Sequence, residues 1–214
     1  MGQRVLSLLI FLSGPSDVEE QFVAAQRVVE AFNRAVGPHM GIVLRAVRGL
    51  TDAQAGRRRP QAAINPLVRQ CDLFALVFAR RFGSPTGRAA SGSEEEFKIA
   101  DRLARRTGKP HILLFFKDYR SGEVAEGGSQ FQSVLRFRRQ IDRRQTHYRL
   151  GYSTPIKFQM LFFEQLMQWV WGLREKPRRR NVTRPTRRST RRGSTIATRS
   201  RRRTPSSSSR LGSR

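Results

Sequence analysis

The residues of this chain that could carry chemistry concentrate in one segment, RFGSPTGRAASGSEEEF, which runs from Arg81 to Phe97. Its glycines permit a tight loop, and its glutamates supply carboxylates at the start of a predicted helix. Its arginines could hold phosphate oxygens as bidentate donors, or they could form a solvated basic rim. The segment is therefore the first candidate for a functional site, with both readings of its arginines open.

The common catalytic and metal-binding motifs are absent from the sequence. There is no GxxxxGK[ST] loop and no GxGxxG after the first predicted strand, which argues against an NTPase or a dinucleotide oxidoreductase within this chain. There is no GxSxG elbow, and the three histidines lack the spacing of metal ligands, so no metal site is predicted. The single cysteine excludes an internal disulfide and favours a reducing, cytoplasmic location.

Charge divides the chain into two parts. The net charge is +26, and residues 176–214 hold 15 of the 42 Lys and Arg residues with no Asp or Glu. This segment has almost no apolar residues, so it cannot bury enough surface to fold. We predict an α/β domain over 1–173 and a disordered Arg/Ser-rich tail over 174–214. No apolar run is long enough to span a membrane, and none is expected to associate with one.

Strand-like and helix-like segments alternate along residues 1–173. The predicted strands are 5–12, 41–47, 72–79, 111–116 and 146–150, and the predicted helices are 16–33, 60–70, 93–106, 131–144 and 155–172. Repeated βα units favour a mainly parallel, five-stranded sheet with helices on both faces. Ligands of such sheets bind beyond the carboxyl ends of the strands, where the loops 13–17, 49–60 and 80–92 must lie.

The sequence resembles a TIR-like family whose members are described as a domain of unknown function. The residues that carry the resemblance are IFLSGPSDVEEQ, RRRPQAAIN, CDLFALVFARRFGSPTGRAASGSEEEFKIA and HILLFFK, and it extends from Val5 to Gly172. It implies a flavodoxin-like/TIR-like three-layer sandwich. The family commonly forms the N-terminal module of STAND-type NTPases, so a STAND partner, signalling and antiviral defence are implied as well.

The resemblance also implies an activity, cleavage of NAD at the nicotinamide–ribose bond, with NAD as substrate and no resident cofactor. The glutamate that opens the helix after the third strand is the catalytic one in such domains, and here that position is Glu96. A carboxylate there would stabilise the oxocarbenium-like centre that nicotinamide leaves behind. The predicted substrate-binding residues are Ser13, Asp17, Arg81, Phe82, Gly83 and Arg88.

Each of these residues also has a purely structural explanation. Ser93-x-x-Glu96 has the spacing of a helix capping box, and so does Ser16-x-x-Glu19 with Asp17 inside it. In addition, many relatives carry a tryptophan and a glutamate after the second strand, where this chain has Gly49-Leu50. Loss of that aromatic would remove a surface on which a base could stack.

Three functions therefore stay open. The first is a NAD glycohydrolase or related nucleotide-processing enzyme, and the second is a non-catalytic module that assembles with itself or with a STAND partner. The third is a charge-driven binder of nucleic acid through the tail and the basic helix at 136–144.

Overall fold

The computed structural model describes residues 5–49, 60–125 and 127–175. Its centre is one sheet in which every neighbouring pair of strands is parallel, in the order β2-β1-β3-β4-β5. The strands are β1 Leu6–Ser13, β2 Ile42–Arg48, β3 Leu73–Phe78, β4 His111–Lys117 and β5 Arg149–Tyr152. This is the flavodoxin-like order, and it confirms the predicted fold class with β3 at the centre and β5 at an edge.

Helices cover both faces of the sheet. After a 3-10 turn at Ser16–Val18 they are α1 Glu19–Ala35, α2 Gly37–Met40, α3 Pro60–Gln70, α4 Gly92–Thr107, α5 Ser121–Ala125, α6 Ser129–Arg144 and α7 Pro155–Glu175. The segment between the predicted strand 111–116 and the predicted helix 131–144 thus contains a further short helix, α5. The last helix continues past the predicted domain boundary at 173, and the predicted tail from residue 176 lies outside the described residues.

Two apolar layers hold the sheet between the helices. On one face α1 and α7 pack against alternate residues of β1, β3 and β4, and on the other face α3, α4 and α6 do the same. All six residues of β3 are buried, as expected for a strand covered on both sides. Because all five strands are parallel, their carboxyl ends lie at one edge of the sheet, where the described loops after β1 and β3 also lie.

The predicted capping box at Ser16 and Glu19 is wrong. The chain makes a 3-10 turn there, and α1 begins at Glu19 without a side-chain cap. This frees Asp17 for a tertiary contact, since its carboxylate accepts hydrogen bonds from the backbone N–H groups of Arg80 and Arg81, both at 2.8 Å. Local spacing alone does not separate a helix cap from a side chain that reaches another loop.

Candidate active site

A cavity of about 570 Å³ lies at the carboxyl edge of the sheet, between the predicted loops 13–17 and 80–92. It is lined from β1 by Ser13, from β2 by Arg48, from α3 by Gln61, from the loop after β3 by Arg81 and from α4 by Glu96. Its volume falls in the range of about 300 to 1,000 Å³ that small-molecule sites occupy. The cavity is therefore large enough for a nucleotide.

Glu96 is the buried acid of this cavity. Its residue surface is only 6% exposed, and the hydroxyl of Ser13 donates a hydrogen bond of 2.6 Å to its Oε2. Burial raises the pKa of Glu96 from 4.5 to about 7, while hydrogen bonds from Ser13 and Gln61 act in the opposite direction. A carboxyl group with such a pKa is populated in both protonation states near neutral pH, so it can act as an acid, as a base or, when ionised, through its charge.

The predicted capping role of Glu96 is wrong, because the N-cap of α4 lies two residues earlier than the predicted Ser93. The N-cap is Ser91, whose hydroxyl accepts a hydrogen bond of 3.1 Å from the N–H of Glu94. The carboxylate of Glu94 in turn accepts one of 2.8 Å from the N–H of Ala90. These two residues satisfy the helix end, and Glu96 is left to face the cavity.

Glu95 is also buried but has a different environment. Its carboxylate accepts hydrogen bonds from the side-chain amide of Asn65 at 3.0 Å and from the hydroxyl of Thr86. It thereby ties α4 to α3 and to the loop after β3, and it does not line the cavity. The positions of the two adjacent glutamates on α4 therefore give them different roles. Glu95 connects α4 to neighbouring elements, and Glu96 lines the cavity.

Gln61 is a site residue that the sequence did not reveal. It occupies the first turn of α3, and its side chain makes a hydrogen bond to Glu96. Its Oε1 is buried without a hydrogen-bond partner among the described residues. Gly92 permits this approach, because a Cβ at that position would come within 2.4 Å of the Gln61 Nε2. The side chain thus holds the carboxylate of Glu96 and favours its ionised form.

The loop after β3 is held at the cavity by two side chains from other elements. Asp17 binds the N–H groups of Arg80 and Arg81, while the Oε1 of Gln130 accepts from Phe82 at 2.9 Å and from Gly83 at 3.0 Å. Gly83 has a φ of +99°, which only glycine adopts without strain. Gln130, on α6, was not among the predicted residues.

The structure separates the predicted substrate-binding residues into two groups. Ser13, Arg81 and Gly83 line the cavity together with Glu96. Asp17 and Phe82 do not line it: Asp17 holds the loop, and the Phe82 ring packs against Phe78 with 5.4 Å between the ring centroids. Arg88 is exposed on the same loop and is also outside the lining.

Arg48 is a second basic group at the cavity that the sequence did not indicate. Its guanidinium pairs with both carboxylate oxygens of Glu19 and lies over the ring of Phe22 at 4.7 Å. Arg48 lines the cavity from β2 and Arg81 lines it from the loop after β3, so the two could receive the two phosphates of a dinucleotide. Within 5–49, 60–125 and 127–175, no group of three His, Cys, Asp or Glu could hold a metal ion.

Asp17 and Gln130 each bind a different pair of backbone N–H groups in the loop after β3. Removing either side chain is therefore expected to increase the mobility of its own pair. Asp17→Ala should accelerate hydrogen exchange at Arg80 and Arg81, and Gln130→Ala should accelerate it at Phe82 and Gly83. Each variant should lower the free energy of unfolding by about 1 kcal/mol, because these hydrogen bonds are partly exposed. Residue-resolved hydrogen exchange measures both effects. Identical exchange patterns in the two variants would contradict this division.

The stability of the protein should respond to Glu96 through pH. The folded protein holds the Glu96 proton up to about pH 7, and the unfolded chain releases it near 4.5. As pH rises between these values, the side chain ionises in the unfolded state while it stays protonated in the folded state. The free energy of unfolding therefore falls, by about 3 kcal/mol in total. Glu96→Gln should remove this loss and be the more stable protein above pH 7.

Denaturant unfolding on both sides of this window measures the effect. Below pH 4.5 the carboxyl is protonated in both states, and the two proteins should have similar stabilities. A stability difference that does not change with pH would show that the ionisation of Glu96 costs nothing in the fold.

The fold and the site together define a class, a flavodoxin-like α/β domain with a buried carboxylate in a ligand-sized cavity at the carboxyl edge of its sheet. Within that class the chain belongs to the family described as Domain of unknown function (DUF4062), whose model matches residues 10–167. This match confirms the resemblance to a family described as a domain of unknown function. No curated protein matches the sequence.

Three solved structures are similar to this chain at low sequence identity. The TIR domains of the activated Roq1 resistosome are 13% identical, with 76% of this chain and 99% of that chain covered and a TM-score of 0.46. The 2-desoxiribosyltransferase from Leishmania mexicana is 16% identical, with 58% and 76% covered and a TM-score of 0.37. Translation elongation factor SelB from Methanococcus maripaludis is 12% identical, with 78% and 35% covered and a TM-score of 0.43.

In the described part of the chain, no helix combines the length and the apolar character that crossing a membrane requires.

Proposed function

We propose that this domain cleaves the glycosidic bond between nicotinamide and ribose in NAD or a related nucleotide. The observation that carries the proposal is the buried carboxylate of Glu96 in a nucleotide-sized cavity, hydrogen-bonded to Ser13. The family resemblance supports it, since it assigns the catalytic glutamate to this position. The proposal extends to signalling or antiviral defence, where depletion of NAD would be the output.

In this mechanism Glu96 acts by its charge. When the bond to nicotinamide breaks, positive charge develops on the ribose, and an ionised carboxylate beside it lowers the energy of that state. Nicotinamide leaves as a neutral molecule, and water bonds to the anomeric carbon of the ribose and releases a proton. Nicotinamide in NAD is itself cationic, so its entry into the cavity would favour the ionised form of Glu96. Ser13 and Gln61 form hydrogen bonds with the carboxylate of Glu96 and fix its orientation before substrate arrives.

The rest of the nucleotide would be held by the basic groups of the cavity. Arg81 is exposed at the cavity and has freedom to close over a phosphate. Arg48 is paired with Glu19, and an incoming phosphate would compete with that carboxylate for its guanidinium. Arg88, exposed on the same loop, is proposed as an outer contact.

The experiment that tests the proposal follows NAD consumption and nicotinamide release by the purified full-length protein. Because TIR-like domains can need self-association to complete the site, the assay covers a range of protein concentrations and includes related nucleotides. Release of nicotinamide in proportion to NAD consumed supports the proposal. No release at any concentration, with any of these nucleotides, would reject it.

That negative outcome would favour the second candidate, a non-catalytic assembly module that pairs with another copy of itself or with a STAND-type partner. The observation in its favour is a row of exposed apolar side chains on α7, formed by Ile156, Met160, Phe163 and Trp171. A helix whose apolar residues continue onto its outer face is typical of a surface that another protein covers. In this case Glu96 would be a buried structural acid.

A further inference from the structure

A basic surface covers the outer side of α4 and α6, away from the cavity. It consists of six exposed arginines, which are Arg102, Arg106, Arg136, Arg139, Arg143 and Arg144. None of the six forms an ion pair with any residue in the ranges 5–49, 60–125 and 127–175. We call this group the α4–α6 basic surface.

The acidic residues of the two helices do not neutralise this surface, because other cations already bind them. Glu94 pairs with Lys98 at 2.8 Å, Asp101 with Arg105 at 2.9 Å, and Asp142 with Arg149 at 2.6 Å. The six arginines therefore create a positive electrostatic potential over the α4–α6 basic surface. Fields of this kind attract polyanions and raise their rate of association.

The two helices lie next to each other, so their arginines act on the same ligand. Both pack on the same face of the sheet, and the rings of Phe97 from α4 and Phe137 from α6 meet edge to face at 5.4 Å. Arginine, more than lysine, suits phosphate groups because its planar fork donates two parallel hydrogen bonds. The surface thus matches a chain of phosphates.

An aromatic ring projects beside this surface. Tyr148 is 81% exposed in the loop between α6 and β5. Its neighbours in sequence fix the loop to both helices, because His147 binds Asp101 of α4 at 2.7 Å and Arg149 binds Asp142 of α6 at 2.6 Å. The ring is exposed to solvent, and it borders a depression whose other lining residues include Ala104 of α4 and Gln165 of α7.

We propose that the α4–α6 basic surface binds single-stranded nucleic acid, with the arginines on the phosphates and Tyr148 stacked on a base. A basic track with an aromatic ring is the arrangement that binds unpaired strands without sequence preference. An anionic membrane fits less well, since insertion needs several apolar side chains. In the described residues between 92 and 152, Tyr148 is the only large hydrophobic side chain that is exposed. This binding is separate from the proposed NAD cleavage and from any contribution of the basic tail.

The test measures fluorescence anisotropy of a labelled single strand of about 16 nucleotides, over a salt series, with the full-length chain. One variant removes four arginines of the surface, by the substitutions Arg102→Gln, Arg106→Gln, Arg139→Gln and Arg143→Gln. A matched variant removes four from the tail, by Arg178→Gln, Arg179→Gln, Arg187→Gln and Arg188→Gln. The surface variant should bind more weakly, and the slope of log K against log salt should become shallower by about 3.

Tyr148→Ala separates the surface from the tail. We expect about a tenfold loss of affinity for the single strand, no loss for a duplex of the same sequence, and an unchanged salt slope. Tyr148→Phe should bind as the wild type does, because stacking needs the ring and not the hydroxyl. In a protein that also carries the four tail substitutions, Tyr148→Ala should still lower the affinity for the single strand. In a protein that also carries the four surface substitutions, Tyr148→Ala should cause no further loss, because the strand no longer lies over the ring.

Three results would overturn the proposal. The first is wild-type affinity of Tyr148→Ala for the single strand, and the second is an equal loss for single strand and duplex. The third is a surface variant that loses binding to anionic phospholipid vesicles while it keeps its affinity for the oligonucleotide, which would assign the surface to a membrane.

Discussion

Glu96→Gln is expected to reduce NAD cleavage by about a thousandfold while the protein stays folded. Glutamine fills the same space and can keep the bond from Ser13, so the cavity should be preserved. What it lacks is the negative charge that stabilises the developing oxocarbenium centre. Nicotinamide release per unit time, measured at saturating NAD, gives the loss in kcat directly, and the KM should change much less.

Glu95→Gln is the matched control for this variant. It removes the same charge from the adjacent residue, which is equally buried at 6% exposure, but its side chain contacts Asn65 and Thr86 and does not line the cavity. We expect it to retain activity within about tenfold of wild type. Equal losses in the two variants would mean that a general effect of charge on α4, and not the position of Glu96, controls the reaction.

Phe78→Ala is expected to lower the free energy of unfolding by about 4 kcal/mol. Phe78 ends the central strand β3 and is 0% exposed, and its ring contacts those of Phe82, Phe116 and Phe137 at 5.4 to 5.7 Å between centroids. Truncation to alanine removes the buried apolar surface and leaves a cavity among aromatic rings that cannot close fully. Chemical denaturation measures the change.

Phe163→Ala provides the comparison at the surface. Phe163 is 46% exposed on α7, so the same substitution should cost about 1 kcal/mol or less. Similar losses at the two positions would contradict the assignment of Phe78 to the centre of the core. The Phe78 cluster also anchors Phe82, and loss of the cluster should therefore loosen the loop that carries Arg81.

The order of strands and helices could be read from the sequence because it rests on local patterns. The runs around Phe11 and Phe74 are continuously apolar, as strands buried on both faces must be, and alternation with amphipathic helices left a parallel sheet as the simplest arrangement. The carboxyl edge as the place of the site followed from that topology. The errors were local, at helix starts such as Ser93, where one or two residues change which side chain is the cap.

Only part of the site could be predicted from the sequence, because the rest depends on contacts between residues far apart in the chain. Four predicted residues line the cavity, namely Ser13, Arg81, Gly83 and Glu96, whereas Arg48 and Gln61 were missed. The family resemblance singled out Glu96, but residue type does not distinguish it from Glu94 and Glu95. The packing of α4 against β1 and α3 directs one glutamate to a cap, one to Asn65 and one to Ser13.

The same limit applies to the positioning side chains. Gln61 and Gln130 carry no motif, and their roles arise because α3 and α6 flank the loop after β3 on one face of the sheet. The sequence by itself determined the elements and the residue types available at their ends. The tertiary structure decided which of these side chains meet, since a burial cost and a hydrogen bond exist only once distant segments are in contact.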